Sequence, residues 1–197
     1  KGQVKVGDQT IIDAAYKVDK NKEKVYFKNE LLDYQQYIYF MLNKPAGLIS
    51  ATKDKREKTV LSLIDKKYQK GLFPVGRLDK DTEGLLLLTN DGDLAHKLLS
   101  PKYRVPKTYY AIIKGQVSKN EVEKFSAGLK ISNDFTALPS RLEILESADI
   151  SKVNVTIYEG KFHQVKRMFE VVGMKVIYLK RLSMGSLDLD RDLSLGQ

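Results

Sequence analysis

Four charged side chains stand at alternate positions in "GRLDKDTEGLLLLT", residues 76–89: Arg77, Asp79, Asp81 and Glu83, followed directly by a run of leucines. If the stretch is extended, its period of two puts all four on one face. Three chemistries are compatible with that face. The charges can simply satisfy one another at an exposed strand end. The carboxylates can gather round Mg²⁺, as in phosphoryl-transfer sites. Or a single Asp can act as nucleophile or base, with Arg77 as its charge partner or as a phosphate contact. Spacing does not separate these readings. Gly76 and Gly84 bracket the stretch, which suits a tight loop at a cleft edge.

A second candidate is "EGKFHQVKRMFEVVG", residues 159–173. On a helix, Val165, Met168, Phe169 and Val172 make one apolar stripe. At about 100° per residue, Arg167 points opposite that stripe, toward solvent. Lys166 lies at its flank, from where an ammonium reaches into a cleft beside the packed face. His163 near the helix start reads as a capping or packing residue. In "KTYYAIIKG", residues 107–115, Tyr109 and Tyr110 fit either sheet packing or a face on which a base stacks. The spacing does not choose a tyrosine.

Other chemistry is set aside. The chain has two histidines and no cysteine, so a zinc site and a disulfide framework are not expected. No phosphate-cradling glycine loop and no nucleophile elbow is present. The net charge of +9 favours a polyanionic partner through phosphate neutralisation and counterion release. The longest apolar runs fall far short of the ~20 residues a membrane span needs. The first residues, "KGQVKVGDQT", have no apolar signal core and no starting Met, so a trimmed form of a longer chain, working in the cytoplasm, is expected.

The elements that must position these residues are legible in outline. Short strands are expected at "QVKVGD" and "KVYF", in a fragment of its own over residues 1–33. A strand at 37–45 stops at Pro45. "TVLSLIDKKY" predicts a short helix capped by Thr59. "GLFPVGRL" and "GLLLLT" read as strands, the second apolar on both faces and so interior to its sheet. "NDGD" leads into the helix "DLAHKLLS", with Asp91 or Asp93 as cap. "KTYYAIIKG", "SRLEILE", "KVNVTIYEG" and "KVIYLKRL" predict strands. "SKNEVEKFSAG" and "HQVKRMFEVV" predict helices ended by Gly128 and Gly173. The sum is an α+β fold on a large, mostly antiparallel sheet.

These constellations, in this order, resemble the RsuA family of pseudouridine synthases, which isomerise uridine in ribosomal RNA. "LNKPAGLIS", "PVGRLDKDTEGLLLLTNDGDLAHKLLSP", "KTYYAIIKG", "EGKFHQVKRMF" and "LKRLSMGSLDL" are similar to the family's successive motifs. The resemblance spans residues 37–197. Residues 2–28 resemble the second half of the small RNA-binding domain named after ribosomal protein S-four, without its helical first half. The domain division expected is therefore 1–33 and 34–197.

The resemblance implies a pseudouridine-synthase fold with a central cleft and a reaction without metal or cofactor. It implies that Asp79 is the one catalytic carboxylate, with Asp81 and Glu83 serving the loop. Tyr109 would stack on the uracil and help remove the C5 proton, and Lys166 would pair with Asp79 and keep it ionised and aimed. Arg77 would contact phosphate or the space left by the extracted base. Lys44, Lys107, His163 and Arg167 are the further RNA contacts expected. The "HQVKRMF" form resembles enzymes of small-subunit (16S) rRNA more than large-subunit (23S) relatives. A non-catalytic ribosome-assembly protein is the alternative outside enzymes, and intact Asp79, Tyr109 and Lys166 argue against it. The expected partner is rRNA or a ribosomal-subunit precursor, met by a monomer with no membrane contact.

Overall fold

The computed structural model describes residues 2–19, 22–32 and 35–197. They form two compact units, the first ending at Tyr37 and the second spanning Ile38–Gln197. The first is a small antiparallel sheet of β1 (Val4–Val6), β2 (Gln9–Ile11), β3 (Val25–Phe27) and β4 (Glu30–Leu31), in the order β2-β1-β3-β4. Gly7, at φ 57°, makes the turn that pairs Val6 with Gln9.

The second unit contains β5 (Tyr39–Lys44), β6 (Phe73–Pro74), β7 (Glu83–Thr89), α1 (Gly92–Leu99), β8 (Lys107–Lys114), α2 (Lys119–Ala127), β9 (Leu129–Ser132), β10 (Phe135–Ala137), β11 (Arg141–Glu146), β12 (Ile150–Ile157), α3 (Gln164–Val171), β13 (Lys175–Met184) and β14 (Leu187–Asp188). Its eight-stranded sheet runs β11-β12-β8-β13-β7-β5, with β14 added on β13 and β6 on β7. Every pairing is antiparallel except β13 with β7. That is the mixed, mostly antiparallel α+β sheet that the sequence predicts. Leu85–Leu88 are buried on both faces of β7, as an unbroken apolar run requires. Leu86 and Leu88 join one core cluster, and Leu85 and Leu87 the other.

The helix ends follow local chemistry. Asp91, not Asp93, caps α1, its carboxylate accepting from the Leu94 N–H at 3.0 Å. Ser118 and Glu121 form a full capping box on α2. Under the sheet, α3 buries Val165, Met168 and Phe169, and Phe169 packs on Phe125 of α2 with ring centroids 4.9 Å apart.

Three expectations change. Residues 59–68 form two short 3₁₀ turns rather than one helix. Thr59 makes no side-chain cap, Asp65 caps the second turn, and the Gln69 amide donates to the carbonyls of Leu61 and Ile64 that a continuous helix would have used. The hairpin β9–β10 stands where the sequence reading placed no element. Residues 75–82 are a turn-rich loop, not an extended strand. Asp79 and Thr82 close a turn there, the Thr82 N–H donating to the Asp79 carbonyl at 3.1 Å, so the alternation of charges does not translate into one face.

Candidate active site

The loop is held from beneath. Lys44 ends β5 opposite Gly84, at the start of β7. Its side chain is 0% exposed, and its Nζ lies 2.8 Å from the Thr82 carbonyl, 3.1 Å from those of Asp79 and Pro45, and 3.4 Å from that of Lys80. Burial pushes the Lys44 amine down to about 8, against the pull of the Asp81, Asp79 and Glu83 carboxylates. Ser50 adds a reciprocal pair, its hydroxyl donating to the Leu78 carbonyl and accepting from the Leu78 N–H, both at 3.0 Å. Gly84 is required where β7 and β13 meet. A Cβ there would stand 2.2 Å from the Arg181 carbonyl oxygen, at φ +97°.

From the other side, α3 delivers Lys166. Its Nζ lies 3.1 Å from Asp79 Oδ2 and 2.6 Å from Asp81 Oδ1. Burial alone would lower the Lys166 amine, but the hydrogen bonds to Asp81 and Asp79 outweigh it and raise the group above its ordinary value. The same bond from Lys166 holds Asp81 below the usual carboxylate range. His163 Nε2 stands 3.5 Å from Asp79 Oδ1, an ion pair only when the imidazole is protonated. Glu83 turns away and accepts from the Tyr178 hydroxyl at 2.7 Å. Burial first, then that carboxylate, raises the Tyr178 hydroxyl. The three acids thus do not converge, and among the described residues no group of three is placed to share a metal ion.

Tyr109, on β8 opposite Arg181, is largely buried and meets Asp79 and Lys166 across a cavity of about 60 Å³. Arg77, Leu78, His163 and Leu179 complete much of its wall. A carboxylate, a cation in contact with it and an aromatic face therefore surround one small hollow. Such a hollow can fix a planar ring and present a nucleophile or base to the atom attached to it.

Arg77, Asp79, Tyr109, His163 and Lys166 are thus brought together. Lys44 is not available to RNA: all its donors are turned onto the backbone beneath the loop. Lys107 is 6% exposed and donates to the Val105 carbonyl at 2.9 Å, leaving only part of its side chain on a cleft wall. Arg167 lies over the Phe135 ring at 5.8 Å and belongs to neither cavity wall at the site. The three displacements share a cause: a cation in a motif is as readily used to satisfy carbonyls or cover an aromatic ring as to meet solvent. The sequence reading missed the Asp81–Lys166 contact and buried Arg181, whose Nε donates to the Leu85 carbonyl at 2.7 Å. Alternating charge pointed to Asp81, but the partner lies 85 residues away in sequence.

Residues 38–171 match the family described as RNA pseudouridylate synthase, which covers well over half of the chain and includes every residue of this cavity except Leu179. The chain belongs to that family. It is 44% identical over 198 residues to the RNA pseudouridine synthase YtzG of Bacillus subtilis (strain 168), covering 100% of this chain and 83% of that protein. Identity is 38% both to ribosomal large subunit pseudouridine synthase B of Bacillus subtilis (strain 168) and to ribosomal small subunit pseudouridine synthase A of Escherichia coli (strain K12). These matches cover 96% and 99% of this chain, and 78% and 84% of the relatives. A crystal structure of a pseudouridylate synthase superimposes with a TM-score of 0.78 at 35% identity, over 100% of this chain and 84% of the other. The chain is accordingly an RNA pseudouridine synthase, an isomerase.

Proposed function

We propose that the chain isomerises a uridine of small-subunit (16S) rRNA, with Asp79 as the catalytic carboxylate. The observation that supports this most is the contact of Asp79 with Lys166 in a hollow walled by Tyr109. The target uridine leaves its stack and enters the hollow. Asp79 attacks C1′ or removes the ribose 2′ proton, and the N1–C1′ bond breaks. The uracil turns against the Tyr109 ring; C5 then bonds to C1′ as the Asp79–C1′ bond breaks, or as Asp79 returns the proton to C2′, and the C5 proton leaves with help from Tyr109 while N1 takes up a proton. Lys166 aims the Asp79 carboxylate, and Arg77 meets phosphate or the emptied stack position. The side chains suffice for this sequence of steps, so no cofactor is invoked.

The small-subunit assignment rests on the "HQVKRMF" form of residues 163–169. A large-subunit substrate is the second reading, favoured by equal 38% identity to enzymes named for either subunit. The small first unit is read as part of an S-four-like RNA-binding domain that adds affinity, the chain acting as a monomer on rRNA or a subunit precursor in the cytoplasm.

Tritium release from RNA carrying [5-³H]uridine tests the proposal, because forming the C5–C1′ bond must expel that atom. Small- and large-subunit rRNA are offered separately, with Asp79→Asn as control. Release from small-subunit rRNA alone, reduced at least about 10³-fold in the control, is expected. Release from large-subunit rRNA alone would overturn the substrate, and full turnover by Asp79→Asn would overturn the catalyst.

A further inference from the structure

A second hollow, of about 510 Å³, adjoins the catalytic cavity and shares Arg77, Asp79 and His163 with it. Its rim carries Phe162, which is 66% exposed although it is a large apolar side chain. The exposure is organised. The Phe162 ring lies on the His163 ring, with centroids 3.7 Å apart and planes 18° from parallel. His163 adopts φ 50°, a left-handed conformation that non-glycine residues enter only when something holds them there, and its side chain makes no helix cap. In that conformation the imidazole has Phe162 on its face and Asp79 at its Nε2. The aromatic pair thereby stands beside the Asp79 carboxylate.

Apart from Asp79, the charged side chains that line this hollow are cations. Lys80 is neutralised by Glu57 at 2.8 Å, but the side chains of Arg77 and Lys161 have no carboxylate partner among the described residues. An exposed ring beside unpaired cations, next to a pocket for an extruded base, is the combination that holds a stacked base and its phosphate.

We propose that this second hollow receives the nucleotide flanking the target uridine, with its base stacked on Phe162 and its phosphate met by Arg77 and Lys161. The inference rests on the pseudouridine synthase reading of the first cavity. Phe162 is then a binding residue that sets the register of the RNA strand, so that the uridine falls on Asp79. Its contribution belongs to recognition of an unstacked segment, not to bond breaking.

Phe162→Ala and Phe162→Tyr are assayed by tritium release on a short RNA with a single labelled uridine. Three forms of that RNA are used: unmodified, and abasic at the 5′ or at the 3′ neighbour. Release by the wild type from unmodified RNA reports the reaction independently of this proposal. On that RNA, Phe162→Ala is expected to lower kcat/KM about tenfold, mainly through KM, with Phe162→Tyr restoring it. On one of the abasic RNAs the wild type is expected to lose about as much, and Phe162→Ala to lose nothing further. That non-additivity is a signature a merely structural ring would not give. An equal penalty for Phe162→Ala on all three RNAs, or none on unmodified RNA, would overturn the proposal.

Discussion

Two lysines grip the loop of residues 75–82 from opposite sides, and they are used in opposite ways. Lys44 lies beneath it, fully buried, and spends its donors on backbone carbonyls. Lys166 lies above it, partly exposed, and spends its donors on the carboxylates of Asp79 and Asp81. One holds the shape of the loop whatever its side chains are. The other holds the direction of two particular side chains. The difference shows that one short segment has its fold and its chemistry fixed by separate cations, so the two can be broken separately.

Lys166→Met should give the largest effect on turnover. We expect kcat to fall about 10²–10³-fold with little change in KM, because Asp79 loses the charge that aims it while the cavity keeps its walls. Steady-state kinetics on labelled RNA check this, with urea unfolding as the control. Equal losses in kcat and in RNA affinity would make Lys166 a phosphate contact instead.

Lys44→Met should give the reverse profile. It strands the carbonyls of Thr82 and Asp79 in a buried place, at one to three kcal/mol for each acceptor left unmade, so a loss of about 3 kcal/mol in unfolding free energy is expected. The sign of the pH dependence adds a second reading. Between pH 8 and 10.5 the unfolded chain holds the Lys44 proton more often than the native one, so stability gains a contribution that grows as pH rises through that window. Urea midpoints measured across it should rise more steeply in the wild type than in Lys44→Met. Parallel curves would show that Lys44 is not desolvated as described.

The same contrast explains how much could be read in advance. Lys166 was legible because helical periodicity sets it at the edge of the Val165, Met168 and Phe169 stripe, a local property of ten residues. The strand β7, an Asp cap at 91 or 93 and the stop at Gly128 were legible for the same reason. Lys44 was misread as an RNA contact because its environment is made by a loop 35 to 38 residues further on, which no periodicity reveals. The extended geometry considered for the charged stretch does not hold, because alternating charge imitates a pleat, whereas the bracketing Gly76 and Gly84 did suggest a tight loop. Its turn is set by hydrogen bonds from Ser50, 28 residues before Leu78, and by the Arg181 carbonyl pressed on Gly84. Phe162 was not singled out in the sequence, because its exposure and the left-handed His163 beside it are not local sequence properties.

Asp81 sharpens the comparison with the smallest effect. Its side chain is 73% exposed, yet its contact with Lys166 is the shorter of the two, at 2.6 Å against 3.1 Å for Asp79. A carboxylate that wins the cation without lining the cavity is placed to position Lys166, while Asp79, which lines it, is the one proposed to meet the substrate. Asp81→Asn removes the foremost interaction that raises the Lys166 amine, leaving burial to lower it and Asp79 alone to oppose that. The ammonium should therefore lose its proton at a lower pH than in the wild type. The stability it contributes, present below about 10.5 and lost as pH rises through the native value, should disappear earlier on the alkaline side. The titration of the Lys166 side chain, followed by NMR in the protein alone, reads this directly. Turnover at neutral pH should fall less than about tenfold, since Lys166 stays charged there and Asp79 keeps its partner. An unmoved Lys166 titration would show that Asp81 merely rests at the surface, and that Lys166 serves Asp79 alone.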